Sequence, residues 1–324
     1  MQNTLPLGQE IKDQILEHWV EYAKIFTPLQ SEFLSSLYKR YQCLDNATLV
    51  LYFAKKTHHA ILREKDYDLN YDLSFENFWN NHSKVKITPT TILNISLDSN
   101  LPKETTRRKL SELVKFKVLN KKNKFISWIP SEEYKKSYNE VVSQEIKNMA
   151  KLTKFVTDKI NLDYSTEEIT KEYKKRFSFY WFHYLDVQLK WMKLWKERLE
   201  DLEIALIFLQ IASLLSSKVK KDVSHKNLFD EPVNIITKPL PETVSISATS
   251  ISDVTGIPRA TCIRKLNQMV KEKIIMQDKT TKRYFIIPEA FNKKLVSREL
   301  TEKVTELYSN FYFICIKALK STTS

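Results

Sequence analysis

The sequence predicts a mainly helical protein with small β-hairpins, built as two similar halves. Three observations support this prediction. The composition is rich in Leu, Ile, Lys and Glu and contains only two glycines, which favours helices. Apolar residues recur at helical spacing along most of the chain. A stretch in the second half repeats a stretch in the first half. With 324 residues and 42% hydrophobic side chains, two packed domains are expected.

The repeat is read from two segments at one constant offset. Residues 95–124 align with residues 251–280, and about ten of thirty positions are identical. Beyond these segments the second copy gains roughly two residues, and insertions between structural repeats usually fall in loops. We therefore predict a duplication with pseudo-two-fold character, in which residues 1–160 form the first repeat and residues 161–324 the second.

Each copy begins with the same order of elements. The predicted elements in the two copies are a central helix that is apolar on most faces at 46–64 and 200–219, a short strand at 84–87 and 243–246, and a short helix at 90–97 and 248–254. A turn then ends at Pro102 and Pro258, because proline is well placed at the first turn of a helix.

The next helix shows a clear apolar face in both copies. Its predicted core positions are Thr106, Leu110, Leu113 and Val114 in the first copy and Cys262, Leu266, Met269 and Val270 in the second. A hairpin follows at 118–129 and 274–287, with a basic tip at 120–124 in the first copy. Each copy then closes with a long helix at about 131–160 and 288–319.

The order helix, strand, helix, turn, helix and hairpin is that of the winged helix-turn-helix, predicted here at 84–130 and 243–288. Residues 98–119 and 254–275 resemble the helix-turn-helix of MarR-like and GntR-like bacterial regulators in their Pro, Thr, Arg and Leu positions. The resemblance implies sequence-specific binding of double-stranded DNA and regulation of transcription. Two features differ from this family. Lys117 and Lys273 stand where glycine is usual, and the connection at 64–86 is unusually long.

In this fold the second helix of the motif enters the major groove, so its face opposite the core is the candidate interface. Arginine suits guanine, threonine suits phosphate or a thymine methyl, and lysines of the hairpin suit phosphates or the minor groove. The predicted DNA-binding residues are Lys103, Thr105, Arg107, Arg108, Lys121, Lys122 and Lys124 in the first copy and Arg259, Thr261, Arg264, Asn267, Lys282 and Arg283 in the second.

The two candidate interfaces are not equivalent. Arg107 corresponds to Ile263, and Glu104 corresponds to Ala260. We therefore predict unequal half-sites, in which the first copy is the more electrostatic reader and the second uses apolar contact with thymine methyls.

Charge and motifs restrict the function classes. The net charge of +13 indicates a polyanionic partner, nucleic acid before an anionic membrane surface. Gly8 and Gly256 are too far apart to build a phosphate-binding glycine loop. Neither a nucleophile elbow nor a metal-ligand spacing of His and Cys is found. We therefore predict no enzyme, no cofactor and no metal.

Three widely spaced cysteines, Cys43, Cys262 and Cys315, predict reduced thiols in a cytosolic protein. The chain begins without the pattern of a signal peptide, and its longest apolar stretch, at 204–215, is too short to cross a bilayer. The predicted location is the cytoplasm, associated with the nucleoid and not with a membrane.

Some alternatives stay open at this point. The aromatic stretch at 177–185, continued by Trp191 and Trp195, fits core packing or a pocket for a small-molecule effector. The chain could be a monomeric pseudo-dimer or a homodimer. Plasmid-type replication initiators, which bind origin repeats, also carry two winged helices in one basic chain. A winged helix can also serve as a protein-interaction module without DNA.

Overall fold

The computed structural model describes residues 7–88, 90–99, 101–199, 201–218, 225–230, 244–287 and 297–321. The protein is mostly helical, with small antiparallel sheets. The first elements are α1 (Leu7–Glu17), α2 (Trp19–Tyr41), α3 (Leu44–Tyr67), α4 (Phe78–Lys84), β1 (Thr90–Thr91), α5 (Ile92–Ser99), α6 (Lys103–Lys115), β2 (Asn120–Lys122), β3 (Phe125–Ser127) and α7 (Glu132–Lys159). They are followed by α8 (Thr166–Lys175), α9 (Phe177–Leu199), α10 (Leu202–Lys218), α11 (His225–Asp230), α12 (Ala248–Thr255), α13 (Arg259–Lys271), β4 (Ile275–Gln277), β5 (Tyr284–Ile286) and α14 (Arg298–Lys320).

The chain divides into two compact units that are interleaved in sequence. Within the described ranges, unit 1 is drawn from Met1–Gln42, Phe155–Asp163 and Leu194–Ile316, and unit 2 from Cys43–Lys154, Tyr164–Lys193 and Lys317–Ser324. These units do not follow the halves 1–160 and 161–324. Helices α1 and α2 of the first half lie in the same unit as α12 and α13, and helices α8 and α9 of the second half lie in the same unit as α5 and α6.

Unit 2 is organised around α3, which contacts α4, α5 and α6. The strands form a sheet of order β1-β3-β2, in which Thr90 pairs with Ile126. The strand predicted at 84–87 is wrong in position, since α4 ends at Lys84 and the strand lies at Thr90–Thr91. Phe78 causes the difference, because its ring is fully buried and stacks on His58 of α3, so the long connection folds back as a helix.

The aromatic stretch at 177–185 belongs to the core of unit 2. Trp181 donates its indole N–H to the hydroxyl of Tyr138 at 3.0 Å, and the Tyr184 hydroxyl donates to the Glu145 carboxylate at 2.9 Å. Both bonds join α9 to α7. The packing interpretation therefore accounts for these rings, and an effector pocket at this place stays a prediction.

Unit 1 is organised around α10, which contacts α2, α12, α13 and β5. The hydroxyls of Tyr22 and Tyr312 share a hydrogen bond of 2.9 Å, and Phe26 lies edge-on to Tyr308, so α2 also packs on α14. In the described part of the strand predicted at 243–246, a single bridge joins Ile246 and Tyr284, and residue 243 lies outside the described residues. The long helix predicted at 288–319 begins at Arg298 in the described part of the chain, and residues 288–296 lie outside the described residues.

Candidate nucleic-acid interface

Two segments of the chain share a helix, turn, helix and hairpin. We call α5, α6, β2 and β3 motif 1, and α12, α13, β4 and β5 motif 2. The helices α5 and α12 each have 8 residues, and α6 and α13 each have 13. The longer helices begin after Pro102 and Pro258, both with φ of −53°. The Pro102 carbonyl accepts from Thr106 N–H at 2.8 Å, and the Pro258 carbonyl from Cys262 N–H at 3.0 Å.

The turn between the two helices is closed in the same way in both motifs. The Ser96 hydroxyl donates to the Leu101 carbonyl at 2.6 Å, and the Ser252 hydroxyl donates to the Ile257 carbonyl at 2.7 Å. Each serine therefore ties the first helix to the residue that leads into the second. The angle between the helices of each motif is set by equivalent side chains at equivalent positions.

The longer helices end without glycine but keep the backbone geometry that glycine usually provides. Lys117 and Lys273 both have φ of 55°, in the left-handed region. Lys117 N–H donates to the Val114 carbonyl, and Val118 N–H donates to the Leu113 carbonyl, both at 3.0 Å. The equivalent bonds close α13 at the same lengths. Both helices thus end in a Schellman motif. The lysine in the left-handed position adopts this conformation at a cost in backbone strain.

The strands of the two hairpins pair in the same register, but the loops that join them differ in length. Lys121 pairs with Ile126 in motif 1, and Gln277 pairs with Tyr284 in motif 2. The second loop is longer, and the Asp278 carboxylate organises it by accepting from the backbone N–H groups of the two threonines that follow, at 2.9 and 2.6 Å. The extra residues therefore lie in the hairpin loop, which is where the sequence alignment predicts an insertion.

The predicted core face is mostly correct. The buried predicted positions are Thr106, Leu110 and Leu113 in α6 and Cys262, Leu266 and Met269 in α13. Val114 and Val270 are only half-buried. Equivalent core positions therefore have the same burial in both helices, which also fixes which side chains can face outward.

Sequence reasoning missed a buried lysine in each motif. Lys265 is 2% exposed and its amine contacts the carboxylates of Asp201 and Glu203 at the start of α10, the latter at 2.9 Å. Lys109 is 9% exposed, and its amine contacts Glu112 at 3.2 Å. The signal was present in the sequence, because each lysine follows the first core residue of its helix by three positions and so lies on the buried face.

Burial and charge shift the pKa values of these groups in opposite directions. Burial raises the pKa of Asp201, but the hydrogen bond and charge of Lys265 outweigh it and hold that pKa below its ordinary value. Burial keeps the pKa of Glu203 above its ordinary value. Burial lowers the pKa of Lys109, and contacts with the Cys43 thiol and Glu112 outweigh it and raise that pKa. Lys265 therefore stabilises the charged form of Asp201 more strongly than that of Glu203.

The outward face of α6 carries cations and carboxylates together. Lys103, Arg107 and Arg108 are exposed, and Thr105 is half-buried. The Arg107 guanidinium contacts the Glu104 carboxylate at 2.7 Å through Nη2, and Arg108 Nη1 lies 3.9 Å from Glu112. The predicted residues of α6 thus share one surface, but both arginines lie beside carboxylates of their own helix.

The outward face of α13 has a different charge pattern. Arg259, Arg264 and Asn267 are exposed, and Thr261 is half-buried. Arg259 Nε donates to the Thr249 hydroxyl of α12 at 3.0 Å. The helix contains neither Asp nor Glu. Its exposed arginine at position 264 therefore lies on a surface with no carboxylate from the same helix.

The hairpins place most of the predicted cations at the surface. Lys121, Lys122 and Lys124 are exposed in motif 1, and Lys282 is exposed in motif 2. Arg283 is half-buried, and its guanidinium donates to the hydroxyl of Ser245 at 3.1 Å and to its carbonyl at 2.7 Å. Arg283 was predicted as a DNA contact, and these bonds give it a structural role in bracing the hairpin.

In the described part of the chain, no group of three or more His, Cys, Asp or Glu side chains is placed to hold a metal ion. None of the described helices combines the length and the apolar character needed to cross a bilayer.

Comparison with known proteins returned no matching family model, no matching curated protein and no matching solved structure. The geometry of the two motifs and the chemistry of their exposed side chains are therefore the basis for proposing a function.

Proposed function

We propose that this protein is a sequence-specific double-stranded-DNA-binding regulator of transcription that uses two winged helix-turn-helix motifs. One observation carries the proposal: motif 1 and motif 2 have equivalent helices, turns and helix ends at one constant sequence offset, followed by hairpins whose strands pair in the same register. This equivalence also supports the proposed duplication of the chain.

The outward chemistry of both motifs supports DNA as the partner. In a winged helix-turn-helix the second helix enters the major groove and the hairpin contacts the backbone or minor groove. The exposed positions of α6 and α13 include Arg108 and Arg264 at equivalent places, and the hairpin of motif 1 exposes three lysines. The net charge of +13 has the sign that a polyanion requires.

The test is binding of the full chain to labelled duplexes of random sequence at increasing salt. A winged-helix DNA binder loses affinity steeply, because bound cations release counterions from the duplex. The double variant Arg108→Ala with Arg264→Ala should weaken binding about 30-fold or more, since each such contact contributes about 1–3 kcal/mol.

A charge-matched control separates a specific interface from total charge. Lys151 and Lys171 are exposed on α7 and α8, outside both motifs. The variant Lys151→Ala with Lys171→Ala loses the same formal charge and should bind within about twofold of wild type, since distant exposed charges are screened at physiological salt. Equal losses in both double variants would contradict the proposed interface.

Footprinting on the recovered sequence addresses regulation. A single pseudo-palindromic or asymmetric site near a promoter is expected for a regulator. An array of directly repeated sites would instead indicate a replication initiator, and absence of any salt-dependent duplex binding would indicate a protein-interaction module.

A further inference from the structure

We propose that base-specific recognition is concentrated in α13, while motif 1 grips the DNA backbone with little regard to sequence. This inference rests on the proposed function and specifies how the DNA-binding work is divided. The two helices offer a controlled comparison, because their backbones and buried positions are equivalent. The difference between them lies in the exposed side chains.

Both arginines on the outward face of α6 lie beside carboxylates of the same helix. Arg107 is bound to Glu104 through two atoms, with Nη2 at 2.7 Å and Nε at 2.9 Å from the same carboxylate oxygen. Arg108 faces Glu112, whose carboxylate also accepts from Asn46 at 3.2 Å. A guanine contact needs the same guanidinium donors, so Arg107 must first leave its carboxylate.

The carboxylates also act on the DNA directly. Glu104 is exposed at 72% of its side chain and lies in the first turn of α6, which is the end that meets base edges in this fold. A carboxylate repels phosphate oxygens and the acceptors of guanine. Base reading by α6 is therefore weakened at the positions where it would be made.

Helix α13 has no acidic residue and places Arg264 and Asn267 one turn apart on its exposed face. Arginine matches the two acceptors of guanine, and asparagine matches the acceptor and donor of adenine. These are two of the most discriminating side-chain and base pairs. Together they predict a guanine and a nearby adenine in the half-site that α13 contacts.

The two hairpins differ in their charges. The short hairpin of motif 1 exposes Lys121, Lys122 and Lys124 and contains no carboxylate. The hairpin of motif 2 exposes Lys279 and Lys282, but it directs Arg283 inward to Ser245 and keeps the Asp278 carboxylate in its loop. Lysine is a point charge that suits phosphate rather than one base. Motif 1 therefore has the stronger hairpin for gripping the backbone and the weaker helix for reading bases.

The experiment selects bound duplexes from a random pool with the full-length protein and three double variants. Arg264→Ala with Asn267→Ala should erase base preference at adjacent positions and lower the ratio of specific to non-specific affinity about 10- to 100-fold. Arg107→Ala with Arg108→Ala should leave the selected sequence unchanged. Lys121→Ala with Lys122→Ala should weaken all duplexes alike and reduce the salt slope by about 2.

The outcomes separate this inference from the proposed function. A wild-type protein without salt-dependent duplex binding overturns the proposed function. The wild-type protein can instead select a sequence. If that sequence changes in the α6 variant and not in the α13 variant, the division of labour is overturned and the proposed function is not. All six substituted residues are exposed, so each variant is expected to fold. Far-UV circular dichroism of each variant checks this.

Discussion

Motif 1 and motif 2 have matching backbones but are anchored by different chemistry. In motif 2 the buried amine of Lys265 meets two carboxylates, Asp201 and Glu203, from the start of the central helix. In motif 1 Lys109 meets Glu112 of its own helix, and its side chain is more exposed. Helices of equal backbone geometry are thus held by different ion-pair partners. In the proposed division of labour a base-reading helix benefits from a firm anchor, and the buried lysine of α13 has two carboxylate partners.

The largest expected effect is on that anchor. Lys265→Met should lower the free energy of unfolding by about 3 kcal/mol, because it leaves two partly buried carboxylates facing each other without a cation. Lys109→Met should cost about 1 kcal/mol, since Glu112 is one-third exposed and can be solvated. Urea denaturation followed by circular dichroism measures both.

A rescue variant sharpens this prediction. Asp201→Asn with Glu203→Gln in the Lys265→Met background removes the repulsion and should recover most of the loss. Equal losses for Lys265→Met and Lys109→Met would break the comparison between the two anchors.

The two units differ in the number of described histidines whose pKa is lowered by burial. Burial lowers the pKa of His58, His82 and His183 in unit 2 and of His225 in unit 1. His58 is fully buried, both ring nitrogens are without a hydrogen bond, and its pKa lies well below the ordinary 6.5. When the pH falls below about 6.5, the unfolded chain therefore takes up a proton on this ring while the folded state keeps the ring neutral.

Because the unfolded state binds more protons than the folded state in acid, the stability of the fold falls as the pH falls. The contribution of neutral His58 to stability is complete above about pH 6.5 and declines by about 1.4 kcal/mol per pH unit below it, until the folded-state pKa is reached. His58→Phe should be less sensitive to acid than wild type by about 1.4 kcal/mol at pH 5.5. Phenylalanine fits, because the ring stacks on Phe78 and lies edge-on to Phe177.

Thermal melts at pH 7.5 and 5.5 provide the measurement. The neighbouring His59 is exposed, so His59→Phe is the matched control and should behave as wild type. If His58→Phe and wild type lose the same stability on acidification, the buried ring does not set the acid sensitivity of unit 2.

The smallest expected effect is on the helix ends. Lys117→Gly and Lys273→Gly should each stabilise the protein by about 1 kcal/mol, because glycine adopts φ of 55° without the steric cost that a side chain has there. The two gains should be equal, since the two ends have the same φ angles and the same backbone hydrogen bonds. Lys115→Gly, within the last turn of α6, should instead destabilise by about 1 kcal/mol. Unequal gains at positions 117 and 273 would show that the two ends differ in their surroundings.

Local elements were largely predictable from the sequence. Helical spacing and the proline positions predicted α6 and α13 and their buried residues, because a helix of this length has one face that must be covered. The strand predicted at 84–87 was wrong, since a buried aromatic contact between Phe78 and His58 is a long-range fact that local pattern does not contain. Lys109 and Lys265 were overlooked because lysine is rarely buried without a partner, and the partners of Lys265 are distant in sequence.

The sequence by itself determined the mainly helical class and the outward positions of the two motif helices. Only the tertiary structure decided which flanking helices pack with which motif. It places α2 with α12 and α10, and α9 with α7, so each unit takes a helix from the opposite half of the chain. The physical reason is that helical periodicity specifies which face of a helix is buried. When two copies present similar apolar faces, the periodicity does not specify against which copy that face is buried.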